Sequence, residues 1–217
     1  RISSLRTVTA SARHANVLAT RLSWILWSEA DTPRDHKKGI HHRLAGLSLS
    51  NTVIFLEELG VDRSRVAVHN WVQKADLQPA DGESPDRVAV DQKAIRINDE
   101  QHWLCAAVDP ETNRILHSRL FPMYMIPSTR EFLTELAEKH DVEDALFLVD
   151  DADDLIGGLR RENYSYRVEQ HGFRNSVERI SREVERRTSS FSNCFSHVDP
   201  PTAETWLQAH AVWWNHA

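Results

Sequence analysis

The sequence predicts an α/β chain: a mixed five-stranded sheet with flanking helices, preceded by a small helical module. Three observations carry this. Apolar side chains recur at helical spacing through residues 37–79. A polar stretch rich in Pro and Gly, DLQPADGESPDR (76–87), then interrupts the pattern and supplies the domain boundary, with 80–87 as the linker proper. Beyond it, across 88–217, the apolar period changes to two and later alternates between helix and strand.

Taken in order, residues 1–36 form a helical N-terminal segment, with a helix expected at 10–30 and the breaker DTPRD after it. The module at 37–79 reads as three short helices, roughly 37–45, 50–59 and 63–75. Ser48 or Ser50 caps the second, Gly60 ends it, and Asp62 or Ser64 caps the third. Leu44, Leu47, Val53, Leu56, Leu59, Val66, Val68 and Trp71 supply its core. The short turn LGVDRS makes the last two helices a helix-turn-helix. Arg63, Arg65, His69, Asn70, Gln73 and Lys74 fall away from the apolar positions, where they can reach base edges and phosphates. The competing reading is a solvated face of a three-helix bundle.

RVAVDQKAIRI, HWLCAAVD and RILHSRLF read as an antiparallel meander broken at INDE and PETN. A helix follows at about 128–140, capped by Ser128 or Thr129. The buried-strand run ALFLVD (145–150) comes next, then a helix near 153–161, a short strand in YSYRVEQ, a helix at 174–187 and a closing helix at 201–215. Trp206, Leu207, Ala211 and Trp214 of the last helix are expected on the core. Three antiparallel strands, a helix, a parallel strand and further alternation is the order of a ribonuclease-H-like fold. Its first and fourth strands are central neighbours.

That order brings carboxylates together. Asp91 lies within the first strand, Asp150 ends the fourth, and Glu178 lies on the helix NSVERISREVERR. Converging carboxylates suit Mg²⁺, a hard cation that keeps coordination sites open for phosphate oxygens. The competing reading is solvated surface acid, since the chain carries 32 Asp and Glu.

Composition bounds the partners. The 217 residues are 41% hydrophobic and 27% charged, as in ordinary soluble proteins. No run has the eighteen apolar residues of a membrane span, so no membrane partner is expected. Cys105 and Cys194 fit neither a zinc site nor a disulfide framework, which suits a reducing cytoplasm. The histidines, His36, His41 and His42 among them, lack zinc-type companions and read as surface or DNA-facing. Net charge is −6, but residues 1–75 carry 11 basic against 6 acidic residues. A basic module ahead of an acidic remainder is compatible with local phosphate binding.

In HRLAGLSLSNTV, VHNWVQKADLQP, WLCAAVDPETNR, EKHDVEDALFLVD, RNSVERISREVERRTSSFSNCFSHVDP and WLQAHAVWWN the chain resembles the DDE transposases of insertion sequences in the family numbered six, in its haloarchaeal branch. The resemblance covers most of 42–217. It implies that Asp91, Asp150 and Glu178 are the catalytic, metal-holding triad, using Mg²⁺ with Mn²⁺ able to substitute. It further implies double-stranded DNA as substrate (terminal inverted repeats and target), a homodimer that joins two ends, and a nucleoid-associated place in the cytoplasm. Arg179 and Arg182, which flank Glu178, are expected at DNA phosphates; their competing role is intrahelical pairing with Glu178, Glu183 and Glu185.

The chain departs from the family in three places. Gln92 stands where the family has Glu, Glu185 where it has Lys or Arg, and Gly157–Gly158 interrupt the helix after Asp150. Read as drift, these departures favour the alternative of a silent DNA-binding relic over an active transposase.

Overall fold

The computed structural model describes residues 33–169, 172, 175–190, 195 and 198–216; the side chains of Pro33 and of residues 185–190 fall outside that description. So do the helix expected at 10–30, Arg174 and Cys194. The chain divides after Leu77 into two units.

The first unit holds α1 (Pro33–Leu44), α2 (Leu49–Glu58) and α3 (Arg65–Ala75). α1 begins four residues before the expected start, because proline suits the first turn of a helix and Asp35 complements its dipole. Ser48 caps α2, its side chain accepting a hydrogen bond from the Asn51 amide at 3.0 Å. Ser64 caps α3 in the same way through Ala67, at 3.1 Å. Between them Gly60 takes a left-handed φ of 79°, and the Val61 amide closes back on the Leu56 carbonyl.

Leu44, Leu56, Val68 and Trp71 are buried as expected, joined by Ile40, Val72 and Ala75. Leu47 and Val53 are only half-buried. Leu59 and Val66 are exposed, contrary to expectation. Leu59 lies past the last turn of α2, and Val66 sits two residues before Val68, hence on the other side of α3. His36 also departs from its expected place: it is buried, edge-on to the Trp71 ring at 4.2 Å.

The second unit is a mixed five-stranded sheet with flanking helices, in the order β3-β2-β1-β4-β5 of the ribonuclease-H-like fold. Its strands are β1 (Arg87–Ile97), β2 (Glu100–Asp109), β3 (Arg114–Phe121), β4 (Leu146–Val149) and β5 (Tyr166–Val168). The first three form the antiparallel meander; β4 joins β1 in parallel, and β5 joins β4 in parallel. Asn98 and Asp99 both take positive φ, 49° and 66°, the geometry of a two-residue hairpin turn. Asp109 folds the second turn by accepting hydrogen bonds from the Glu111 amide and the Thr112 hydroxyl.

The helices are α4 (Ile126–Lys139), α5 (Asp153–Arg161), α6 (Asn175–Ser190) and α7 (Pro200–Trp214). α4 and α5 cover one face, where Val88, Val90, Phe132, Leu136, Phe147 and Leu159 share a core. α6 packs along β1 and β2, and α7 along β3. Trp206, Leu207 and Ala211 are buried, while Trp214 is half-buried with its indole N–H on the Asn113 carbonyl. Asn215 pairs its side-chain amide with both backbone groups of Ile115, and so occupies bonding positions on the free edge of β3.

Two expectations change in this unit. Neither Ser128 nor Thr129 caps α4: the cap is Met125, and Pro127 sets the first turn. Ser128 instead donates to the Met123 carbonyl, and the buried Thr129 donates to the Tyr124 hydroxyl. Gly157 and Gly158 do lie in a helix, and the cause is packing. A Cβ on Gly157 would stand 2.9 Å from Ile126 Cδ1, and one on Gly158 would run into Thr129 Cγ2 and come within 2.8 Å of its Cβ. Hence they are the contact surface of α5 against α4, and reading them as drift is withdrawn.

Candidate active site

Asp91 sits in β1 opposite Ala106 of β2, half-buried after three fully buried residues. The parallel pairing of β1 with β4 ends at Ala89↔Leu148. Two residues further along each strand come Asp91 and Asp150. They share a register and, because side chains alternate, the same face of the sheet. Asp150 stands just beyond the last residue of β4. Its Oδ1 accepts a hydrogen bond from the Ala152 amide at 3.2 Å, turning the chain into α5.

The face carrying Asp91 is the one covered by α6. Ser181, buried on that helix, donates its hydroxyl to Asp91 Oδ2 at 3.3 Å. Glu178 lies three residues before Ser181, which puts the two on one side of the helix. Its carboxylate is half-buried, with Oε2 3.9 Å from Arg182 Nη2. That pair is weak, because Arg182 is largely exposed and water competes for both partners. Among the described residues no three His, Cys, Asp or Glu side chains stand close enough together to hold one metal ion. Asp91 and Asp150 are thus in register, and Glu178 is on the facing helix with its head turned toward Arg182.

Gln92 projects to the other face, opposite Cys105 and into the core under α4 and α5. It is therefore not placed to brace the Asp91 carboxylate. Its Oε1 is buried without a hydrogen-bond partner among the described residues. Across from it, burial pushes the Cys105 thiol well up, and the Asp91 charge adds to the shift, so Cys105 remains a neutral thiol.

Ser181 joins the site without having been singled out from sequence, though a signal existed: it follows Glu178 at the spacing that brings helix residues together. Tyr124, in the loop before α4, packs instead with the core under α4 and α5, where burial pushes its hydroxyl well up and Thr129 donates a hydrogen bond to it.

The expected DNA-contact residues separate into two groups. Arg65, Asn70 and Lys74 are exposed on α3, with His69 and Gln73 half-buried there and Arg63 half-buried in the turn before it. Arg179 and Arg182 are exposed on α6, away from its buried Val177 and Ile180. The side chain of Glu185 lies outside the described residues. No described helix is long and apolar enough to cross a membrane.

No family model matches the chain. A protein of uncharacterised function from Methanocaldococcus jannaschii is 23% identical over 177 residues, spanning 78% of this chain and 80% of that one. Among solved structures, the catalytic core domain of BIV integrase aligns with a TM-score of 0.42 at 12% identity, over 58% of this chain and 80% of that chain. The HTLV-2 integrase catalytic core domain in complex with magnesium aligns with a TM-score of 0.42 at 9% identity, over 59% and 84%. A simian T-cell lymphotropic virus intasome structure aligns with a TM-score of 0.39 at 9% identity, over 76% and 65%.

Proposed function

We propose that this chain is a DNA cutting-and-joining enzyme of the DDE transposase type, akin to insertion sequences of the family numbered six. The observation that carries the reading is the shared register of Asp91, within β1, and Asp150, just past the end of the adjacent β4, on the face covered by α6. Blocks of sequence resembling that family include Asp150 and Glu178, and two others flank the strand that bears Asp91.

The donor set is all oxygen, which fits Mg²⁺ and, less selectively, Mn²⁺. Asp91, Asp150 and Glu178 would hold the metal. Bound metal lowers the pKa of an attacking water or 3′-hydroxyl and stabilises the leaving oxygen during in-line displacement at phosphorus. The chain's own groups do the positioning. Ser181 holds one oxygen of Asp91. The Ala152 amide orients Asp150, and Glu178 lies on the side of α6 that carries Ser181. The carboxylates hold ligands and do not carry protons.

α3, with Arg63, Arg65, His69, Asn70, Gln73 and Lys74, binds the terminal repeats. Arg179 and Arg182 meet phosphate beside the acids. Two ends are joined in one complex, so the working form is a homodimer acting on nucleoid DNA in the cytoplasm.

The test is metal-dependent nicking of a labelled duplex carrying the ends of the element that encodes the chain, beside Asp91→Asn and Asp150→Ala. Nicking by the native chain alone supports the reading; equal nicking by all three refutes it. One observation favours a second reading, a DNA-binding relic that no longer cuts: the Glu178 carboxylate leans on Arg182. Retained end binding with no nicking in Mg²⁺ or Mn²⁺ would select it.

A further inference from the structure

The exposed face of α3 holds a feature that phosphate binding does not use. Val66 is 66% exposed, the most open of the large hydrophobic side chains among the described residues. The helix buries Val68, Trp71, Val72 and Ala75 in a single stripe. At 3.6 residues per turn, the direction opposite that stripe falls on Val66, Asn70 and Gln73, which share an arc of about 60°. Arg65 and Lys74 flank them, and no acidic residue lies within α3.

This inventory is specific. Asn and Gln side chains pair bidentately with adenine, through N6 and N7 in the major groove. A small apolar side chain is the complement of the thymine 5-methyl group. Guanine is read by Arg or Lys, and here the cations stand at the margins of the face rather than at its centre.

Resting on the reading of α3 as a DNA-binding helix, we propose that this helix reads A·T base pairs, with Asn70 and Gln73 pairing to adenine and Val66 packing on a thymine methyl.

The experiment selects sites for the full chain from a random-sequence duplex pool, then replaces each selected thymine in turn by deoxyuridine, which removes only the methyl. Selected sites are expected to centre on A·T pairs. Deoxyuridine at one position should weaken binding about fourfold, the effect of one lost buried methyl group. Val66→Ala should bind the thymine probe about fourfold more weakly and lose its sensitivity to deoxyuridine, with Ser50→Ala as a variant outside the face. Sites centred on G·C, or binding indifferent to every deoxyuridine, overturn the assignment while leaving DNA binding intact. A chain that enriches no sequence and shows no salt-dependent retention of DNA overturns the DNA-binding reading as well, and the salt titration separates the two failures.

Discussion

Substituting Gly158 by alanine sets two effects against each other. In an unconstrained helix interior the change gains about 1 kcal/mol, because alanine loses less backbone freedom on folding. At Gly158 the new methyl runs into Thr129, with the Thr129 Cβ only 2.8 Å away. Thr129 cannot yield cheaply: it is 1% exposed, β-branched, and its hydroxyl is bonded to Tyr124. Overpacking at such a contact costs about 1–3 kcal/mol. The steric term wins, and Gly158→Ala should destabilise the second unit by up to about 2 kcal/mol.

Equilibrium urea unfolding measures this as a lower midpoint at unchanged slope. Gly157→Ala is the control, since its nearest neighbour at 2.9 Å is the far end of the Ile126 side chain, which can swing aside; its midpoint should hold or rise, by at most the helix gain of about 1 kcal/mol. Adding Thr129→Ser removes the obstructing methyl and keeps the hydroxyl. In a double-mutant cycle it should recover about 0.5–1 kcal/mol of the Gly158→Ala loss. A raised midpoint for Gly158→Ala alone would refute the packing argument and restore these glycines to the status of drift.

Other outcomes follow from the same coordinates. Ser181→Ala should raise the Mg²⁺ concentration needed for half-maximal nicking by about tenfold, since it frees Asp91 to reorient; metal titration of the nicking rate reads this. Burial lowers the pKa of both His117 and His140, so each stays neutral in the folded chain while the unfolded chain takes up their protons. Stability from these two is full above about pH 6.5, the ordinary histidine value, and falls as the pH drops below it. Urea midpoints at pH 7.5 and pH 5 should show this, with a smaller difference in His140→Gln. Ser64→Ala should cost the first unit about 1 kcal/mol by uncapping α3, visible as a lower melting temperature.

Much of the fold was legible because its signals are local. The period-two run RVAVDQKAIRI became β1 over its full length, and the apolar run before Asp150 became β4. The caps Ser48 and Ser64 were legible because each contact spans three residues. What escaped depended on partners distant in sequence. A serine or threonine before an apolar run reads as a cap, yet Thr129 was committed to Tyr124 and Pro127 had already set the turn. Helical spacing marks Val66 as apolar but not as outward-facing, which needs the direction of the neighbouring helices. Whether a glycine is a defect or a contact depends on what lies opposite, and Ile126 and Thr129 are some thirty residues away from Gly157 and Gly158. Of the three acids, strand register linked two. The third depended on how a helix is laid on the sheet, which a sequence does not state.

The early end of the β1–β4 pairing has a consequence of its own. β1 stays bonded to β2 as far as Ile97 but to β4 only as far as Ala89, so the sheet has a notch on one flank of its middle strand. Asp91 and Asp150 stand at the root of this notch. Anything that touches both meets them where β4 has ended and β1 is bonded to β2 alone. The opening is set by where hydrogen bonding stops rather than by any side chain. A change that let β4 zip two residues further would close the notch and leave every acid in place, so a variant could keep all three acids and still differ at the gap beside Asp91.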